Sequence, residues 1–399
     1  MTTITIEGVQ LWDGTAARGL STLTVTAGAT EGVVESIAQA GVDSGLSVIP
    51  GLIDTHVHLI GNASATPSGF LTWPLVTRPE ERVLHGLAHA RRALAGGVTT
   101  LRDLSADDIQ FSLRRGLDAG VVEGPRVLAH GMVSMTGGHG DLFTPPAVET
   151  RGPVADGPDA CRALVRHWAR AGADGIKIAT SGGVLSVGDK AAWRNHTGEE
   201  IAAIVDEAHA LGMRVAAHAH TPEGVDIALD HGVDSIEHAT VLPEAQARRI
   251  AAAGITVAPT LLINDRIAQG VGANEEQAGK AQELVASRDA LLRAAVGLGV
   301  EFVLGTDANG FHVEFGEQMT EVREMARILG YGPERALQAA TVRAARTIGR
   351  DDLGRLEPGL PADLVVLRGR PWESIDDLRV ENIVAVVSRG RLVHGRLPG

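Results

Sequence analysis

His56-Val57-His58 sets two imidazoles two residues apart at the end of an apolar run. If that run is a β-strand, side chains i and i+2 leave it on the same side, and both rings can ligate one metal ion. By itself an H-x-H pair says little, because surface histidines are common. Three further residues change the weighing. His218 closes Val215-Ala216-Ala217-His218, His238 closes Ser235-Ile236-Glu237-His238, and Asp307 follows Leu304-Gly305-Thr306. Each alone reads more readily as a packed histidine or a helix-capping aspartate. As a set they put imidazole and carboxylate donors, which ligate metals, at the ends of successive apolar segments.

Lys177, within Gly175-Ile176-Lys177-Ile178, stands out because the chain has only two other lysines, Lys190 and Lys280. A protonated lysine offers donors only and cannot bind a cation. Burial beside metal charge favours the neutral amine instead. That amine can add CO2, giving a carbamate whose two oxygens are able to bridge two metals. The plainer alternative is a strand-end lysine that keeps its ammonium in water; given these neighbours, the carbamate is the expectation.

Such residues need strands that run in one direction. Eight candidate strands, Val48–His58, Thr99–Leu104, Arg126–Ser134, Gly175–Thr180, Arg214–His218, Ser235–His238, Thr256–Thr260 and Glu301–Thr306, alternate with amphipathic segments. That order predicts an α/β fold, a (β/α)8 TIM barrel with catalytic groups at the C-terminal ends of its strands. Helix punctuation agrees: capping-box patterns at Thr77/Glu80 and Thr197/Glu200, an N-cap before proline at Thr221-Pro222, and helix stops at Gly212 and Gly232. Pro158–Ala171 reads as a helix, and Lys280–Leu298 as the longest amphipathic one. Short strands return at both ends, Thr3–Glu7 and Leu23–Ala27, then Asp363–Leu367, Ile383–Val387 and Arg391–His394. They predict a small composite β-sandwich formed from both termini. The expected division is residues 1–47 and 349–399 for the sandwich, and 48–348 for the barrel.

Composition narrows the function classes. The 399 residues carry 36 basic and 49 acidic side chains, a net charge of −13, which disfavours nucleic acid and anionic membranes as partners. The single cysteine, Cys161, leaves no intramolecular disulfide. The N-terminus alternates like a strand rather than like a signal peptide, and no apolar run is long enough to span a bilayer. A cytoplasmic protein is expected, with a homo-oligomeric assembly.

The sequence resembles the amidohydrolase superfamily in Pro50-Gly51-Leu52-Ile53-Asp54-Thr55-His56-Val57-His58, Lys177, His218, Ser235-Ile236-Glu237-His238, Gly305-Thr306-Asp307-Ala308 and the tail from Gly354 to Val366. Its prolidase and imidazolonepropionase-like branch is the nearest, through Val98-Thr99-Thr100-Leu101-Arg102-Asp103, Gly137-Gly138-His139-Gly140, Ile178 to Val184 and Ala217-His218-Ala219-His220. The resemblance implies two divalent metal ions, usually Zn2+. His56, His58 and Asp307 would hold one, His218 and His238 the other, with carboxylated Lys177 between them. His218 and His220 both face one side. The superfamily pattern puts the ligand at the strand end, His218, and leaves His220 facing the substrate. His139, on a Gly-rich loop, is implied as a second substrate contact.

The function expected on these grounds is hydrolysis of an amide bond in a dipeptide, of Xaa-Pro type, or in an N-acyl amino acid. A hydroxide between the metals would attack, His220 would assist, and Asp307 would act as general base and then acid. A mononuclear cyclic-amide hydrolase, a lactonase or phosphotriesterase, and a non-catalytic barrel are the competing readings. Arg102 and Arg194 are candidates for a substrate carboxylate, and Trp193 and His196 for the pocket wall. With 3% aromatic residues, no aromatic pocket is expected.

Overall fold

The computed structural model describes residues 3–397, apart from Ala29, Pro67 and Thr150. Seven strands from the two ends of the chain pair in one sheet, and eight from its middle pair in another. The first set comprises β1 (Thr3–Trp12), β2 (Ala17–Thr26), β3 (Val33–Gln39) and β4 (Leu46–Pro50). The second is β5 (Leu52–Val57), β6 (Val98–Ala106), β7 (Arg126–Met132), β8 (Gly175–Ala179), β9 (Arg214–Ala219), β10 (Ser235–His238), β11 (Thr256–Ala258) and β12 (Glu301–Phe302). The chain then returns to the first sheet with β13 (Leu364–Arg368), β14 (Ile383–Ser388) and β15 (Arg391–Gly395).

The middle strands pair in sequence order from β5 to β12, each parallel to the next. Parallel neighbours need a crossover, and helices supply it, such as Pro79–Ala95 between β5 and β6 and Gly198–Ala210 between β8 and β9. The sheet curls until its edges meet. Thr55 N donates to Leu304 O at 2.9 Å, Asp307 N to His56 O at 2.7 Å, and His58 N to Ala308 O at 2.8 Å. Those three bonds carry the histidine pair and the aspartate to the same seam. Apolar side chains of strands and helices form one large core around the sheet, including Leu101, Val127, Ile176, Val215 and Ile236.

The predicted strand Val48–His58 is two strands in two sheets. Pro50 pairs with Leu364, whereas Leu52 pairs with Val98. Gly51 makes the changeover, passing so close to Thr99 that a Cβ there would overlap that side chain. The terminal strands do come from both ends of the chain. They pair as one continuous, mostly antiparallel sheet, β15-β14-β13-β4-β1-β2-β3, separate from the parallel one. Its own core includes Ile6, Leu23, Val48, Leu364 and Val387.

Two helix expectations are also corrected. Lys280–Leu298 is broken into Glu275–Val285 and Arg288–Gly297, and Pro79–Ala95 is the longest helix described. The break lets Arg288 turn inward, where it donates to Leu261 O and pairs with Asp265. Thr77 does not N-cap the helix Pro79–Ala95: it is the C-cap of Trp73–Val76, its hydroxyl donates to Trp73 O, and Arg78 is the N-cap. The Thr197/Glu200 capping box and the Thr221 cap form as the sequence predicts. Among the described residues no helix is long and apolar enough to cross a membrane.

Candidate active site and metal centre

His56 and His58 leave β5 and its end on the same side, their ring centroids 5.2 Å apart. Asp307 Oδ1 sits 3.0 Å from His58 Nε2 and 3.7 Å from His56 Nε2. His218 from β9 packs edge-on to His238 from β10, with centroids 4.5 Å apart, and His238 lies 5.1 Å from His56. Ligand atoms of His218, His220 and His238 fall within 4.8 Å of one another, and so do those of His56, His238 and Asp307. The strand ends thus bring together two adjoining clusters with metal-ligand chemistry.

The backbone is strained to do so. Described non-glycine residues with left-handed φ are His238 (73°), Ala239 (44°), Thr260 (47°), Asp307 (57°) and Arg389 (51°). The first four lie at these strand ends, each at a cost of about 1–3 kcal/mol. His238 shows what the strain achieves. Neighbours in a strand point to opposite faces, yet Glu237 and His238 both contact His56. The left-handed turn at His238 re-aims that ring inward.

Beneath the histidines lies a buried ion pair. Arg102 donates to Thr55 O at 2.6 Å, to Ser235 Oγ at 3.1 Å and to Glu237 Oε1 at 2.8 Å. Glu237 Oε2 is 2.9 Å from His56 Nδ1. Burial alone would raise the Glu237 carboxyl, but the Arg102 guanidinium and His56 hold it well below the usual carboxylate range. Arg102 is therefore committed to the interior and is no candidate for a substrate carboxylate.

These partners also fix which imidazole nitrogen is free. A carbonyl oxygen only accepts, so His218 carries its proton on Nε2, toward Gly182 O at 3.2 Å, and its open lone pair is Nδ1. Glu237 Oε2 lies within ion-pair distance of His56 Nδ1, at 2.9 Å. Hydroxyls back three other rings at Nδ1: Ser105 at 2.8 Å for His58, Thr240 at 2.8 Å for His220 and Thr260 at 2.7 Å for His238. Such backing orients ligating histidines and raises their basicity. Burial pushes His56 down to about 4 and His220 to about 3, and holds His218 and His238 well below their ordinary value. Neutral imidazoles are the form that binds metal.

Lys177 is 3% exposed, and its Nζ has no hydrogen-bond partner. Burial lowers the amine to about 8, even though Glu237 and Asp307 oppose the shift. An unpaired buried ammonium is costly. The same amine as a carbamate would present two oxygens to ions held by these imidazoles, so the donor set fits divalent metal.

The cavity above these residues has a volume of about 300 Å³. His139 and His220 both line it, and His139 stacks on His218 with centroids 4.1 Å apart. Asn195 Oδ1 accepts from His139 N, and Ser186 Oγ lies 3.2 Å from His139 Nδ1. Trp193 and Arg194 are exposed and do not line the cavity, and His196 is buried away from it. Contrary to the compositional expectation, Phe70 and Phe143 form part of the wall, with Leu75, Ile263 and Ile267. Sequence reasoning missed these residues and Arg82. All lie on loops or helices following strands, where apolar residues follow no strand alternation.

Comparison with known proteins places the chain in a class. The amidohydrolase family model matches residues 47–393. Ochratoxinase of Aspergillus niger is 29% identical over 365 residues, 86% of this chain and 74% of that protein. Imidazolonepropionase of Deinococcus radiodurans is 27% identical over 376 residues, covering 86% and 83%. A solved structure of a Xaa-Pro dipeptidase with methionine bound in its active site superposes with a TM-score of 0.86 at 30% identity, covering 98% and 99%. The chain is a metal-dependent hydrolase acting on carbon–nitrogen bonds, and it belongs to the amidohydrolase family. Within that family it falls in the prolidase and imidazolonepropionase-like branch.

Proposed function

We propose that the chain is a binuclear zinc hydrolase that cleaves the amide bond of a small substrate, a dipeptide of Xaa-Pro type or an N-acyl amino acid. The observation that carries this reading is Lys177, a buried amine without a partner beside two clusters of neutral imidazoles. His56, His58 and Asp307 would hold one ion and His218 and His238 the other, with Lys177 as a carbamate between them. His218 has its Nδ1 lone pair open, as a ligand needs. When bound, two such ions supply Lewis-acid polarisation of a carbonyl and a nucleophile ionised near neutral pH.

The chain's own groups do the remaining work. In the tautomer that accepts from the Thr240 hydroxyl at Nδ1, 2.8 Å away, His220 would carry its proton on Nε2 and donate it toward the scissile carbonyl oxygen. Asp307, whose Oδ1 lies 3.0 Å from His58 Nε2, would accept the proton of the attacking water as a carboxylate. It then passes that proton to the leaving nitrogen, so no acyl-enzyme is formed. His139 lines the cavity beside His218 as a substrate contact. The apolar wall suits an apolar acyl group or side chain.

The same reading includes a closed (β/α)8 barrel of residues 48–348, supported by the hydrogen bonds across the seam, with residues 1–47 and 349–399 as the second domain. It also includes a cytoplasmic homo-oligomer, in keeping with the single buried cysteine. Zinc-loaded protein assayed against dipeptides and N-acyl amino acids is expected to cleave at least one with kcat/KM on the order of 10⁴ M⁻¹ s⁻¹ or more. Turnover confined to lactones, phosphotriesters or cyclic amides would reject it.

A further inference from the structure

The charged groups lining the cavity can be assigned in turn. His56, His58, Lys177 and Asp307 belong to the proposed metal centre. Asp141 accepts from Gly137 N and pairs with Arg151. Asp107 caps the helix Asp108–Asp118 through Ile109 N. Arg82 is left over. It lies on the first turn of the helix Pro79–Ala95, in the β/α unit that carries His56 and His58. Its side chain lines the same cavity as Ser105, the residue that backs His58.

Arg82 Nε is buried and has no hydrogen-bond partner among the described residues. The Arg82 charge reaches Asp107. A buried guanidinium N–H without an acceptor costs free energy that a folded protein ordinarily avoids. The planar fork is matched to a carboxylate, which offers two acceptors and the opposite charge. A neutral amide offers one carbonyl and no charge.

Resting on the proposed amide hydrolysis, we infer that Arg82 is the specificity residue that receives a carboxylate on the substrate. The substrate class stays that of the proposed function, with its free α-carboxylate assigned to Arg82 and an apolar side chain to the wall of Phe70, Phe143 and Ile263. Neutral amides of the same shape are poor substrates because the Arg82 fork stays unfilled.

The test compares N-acetyl-L-phenylalanine with its C-terminal carboxamide on zinc-loaded wild type, Arg82→Ala and Arg82→Lys. Wild type is expected to favour the acid. Arg82→Ala lowers kcat/KM for the acid on the order of 10- to 100-fold, mainly through KM, so that the acid-to-carboxamide ratio collapses. Arg82→Lys, which keeps the charge but not the fork, restores part of it. An unchanged ratio, whether both substrates lose activity or neither does, overturns the assignment. If wild type cleaves neither compound, calorimetric titration of the same pair into the same zinc-loaded proteins decides. Acid binding weakened at least tenfold by Arg82→Ala supports the assignment, and equal affinity in both proteins overturns it. Failure of the hydrolysis alone counts against the reaction, and failure of the ratio or affinity against Arg82.

Discussion

Asp307→Asn is expected to lower kcat on the order of 10³- to 10⁴-fold while the protein keeps its metal. The two properties separate because Asp307 has two duties. One oxygen lies against His58 and His56 as a ligand atom, and an asparagine carbonyl can still fill that place. The other duty is to take a proton and return it, which an amide cannot do. The substitution is tolerated by the backbone, since Asp307 has a left-handed φ of 57° and asparagine adopts that region readily. Asp307 N still donates to His56 O across the seam in the variant, so the site keeps its frame. Steady-state kinetics beside metal analysis of the same preparation check this, and near-wild-type turnover would reject Asp307 as the proton carrier.

Lys177→Ala is the second large effect. On the proposed reading, loss of the amine would remove the carbamate oxygens but leave the imidazoles in place, so metal binding would weaken rather than vanish. A drop in activity of at least about 100-fold is expected, a scale that even outer-sphere changes around metals can reach. The space vacated is the basis of a sharper outcome: acetate or propionate added to the alanine variant should restore part of the activity. Lys177→Met fills the same space with an apolar chain and should not respond. Activity of the alanine variant within a few-fold of wild type would show that Lys177 bridges nothing.

Much of this site was legible in the sequence because one rule governs it. Alternation in a strand puts i and i+2 together, which pairs His56 with His58, and parallel strands bring their C-terminal ends to one side. His218, His238 and Asp307 follow from the same rule, and the order β5 to β12 follows from the β/α alternation. Family resemblance implied His56, His58 and Asp307 for one ion and His218 and His238 for the other, whereas the two clusters here set His238 both with His218 and His220 and with His56 and Asp307. The misses arise where that rule is suspended. Glu237 is adjacent to His238, so alternation separates them, and only the left-handed turn at His238 reunites them. Arg102 reads as a cationic strand residue available to substrate, whereas its partners, Thr55 O and Glu237, are distant in sequence and invisible to local pattern. Phe70, Phe143 and Arg82 lie on segments whose apolar and charged residues follow no strand period. The break at Gly51 is a question of which sheet each neighbour joins, and that depends on Asp363 and Gly97, whose carbonyls accept from Gly51 N and Leu52 N.

The link between structure and reaction is the number of metal ions. Protein stripped by chelation and titrated with zinc should regain amide-hydrolysing activity up to two equivalents per chain, with two zinc ions retained after dialysis. Saturation of both activity and zinc content at a single equivalent would contradict a bridging Lys177 and with it the binuclear site.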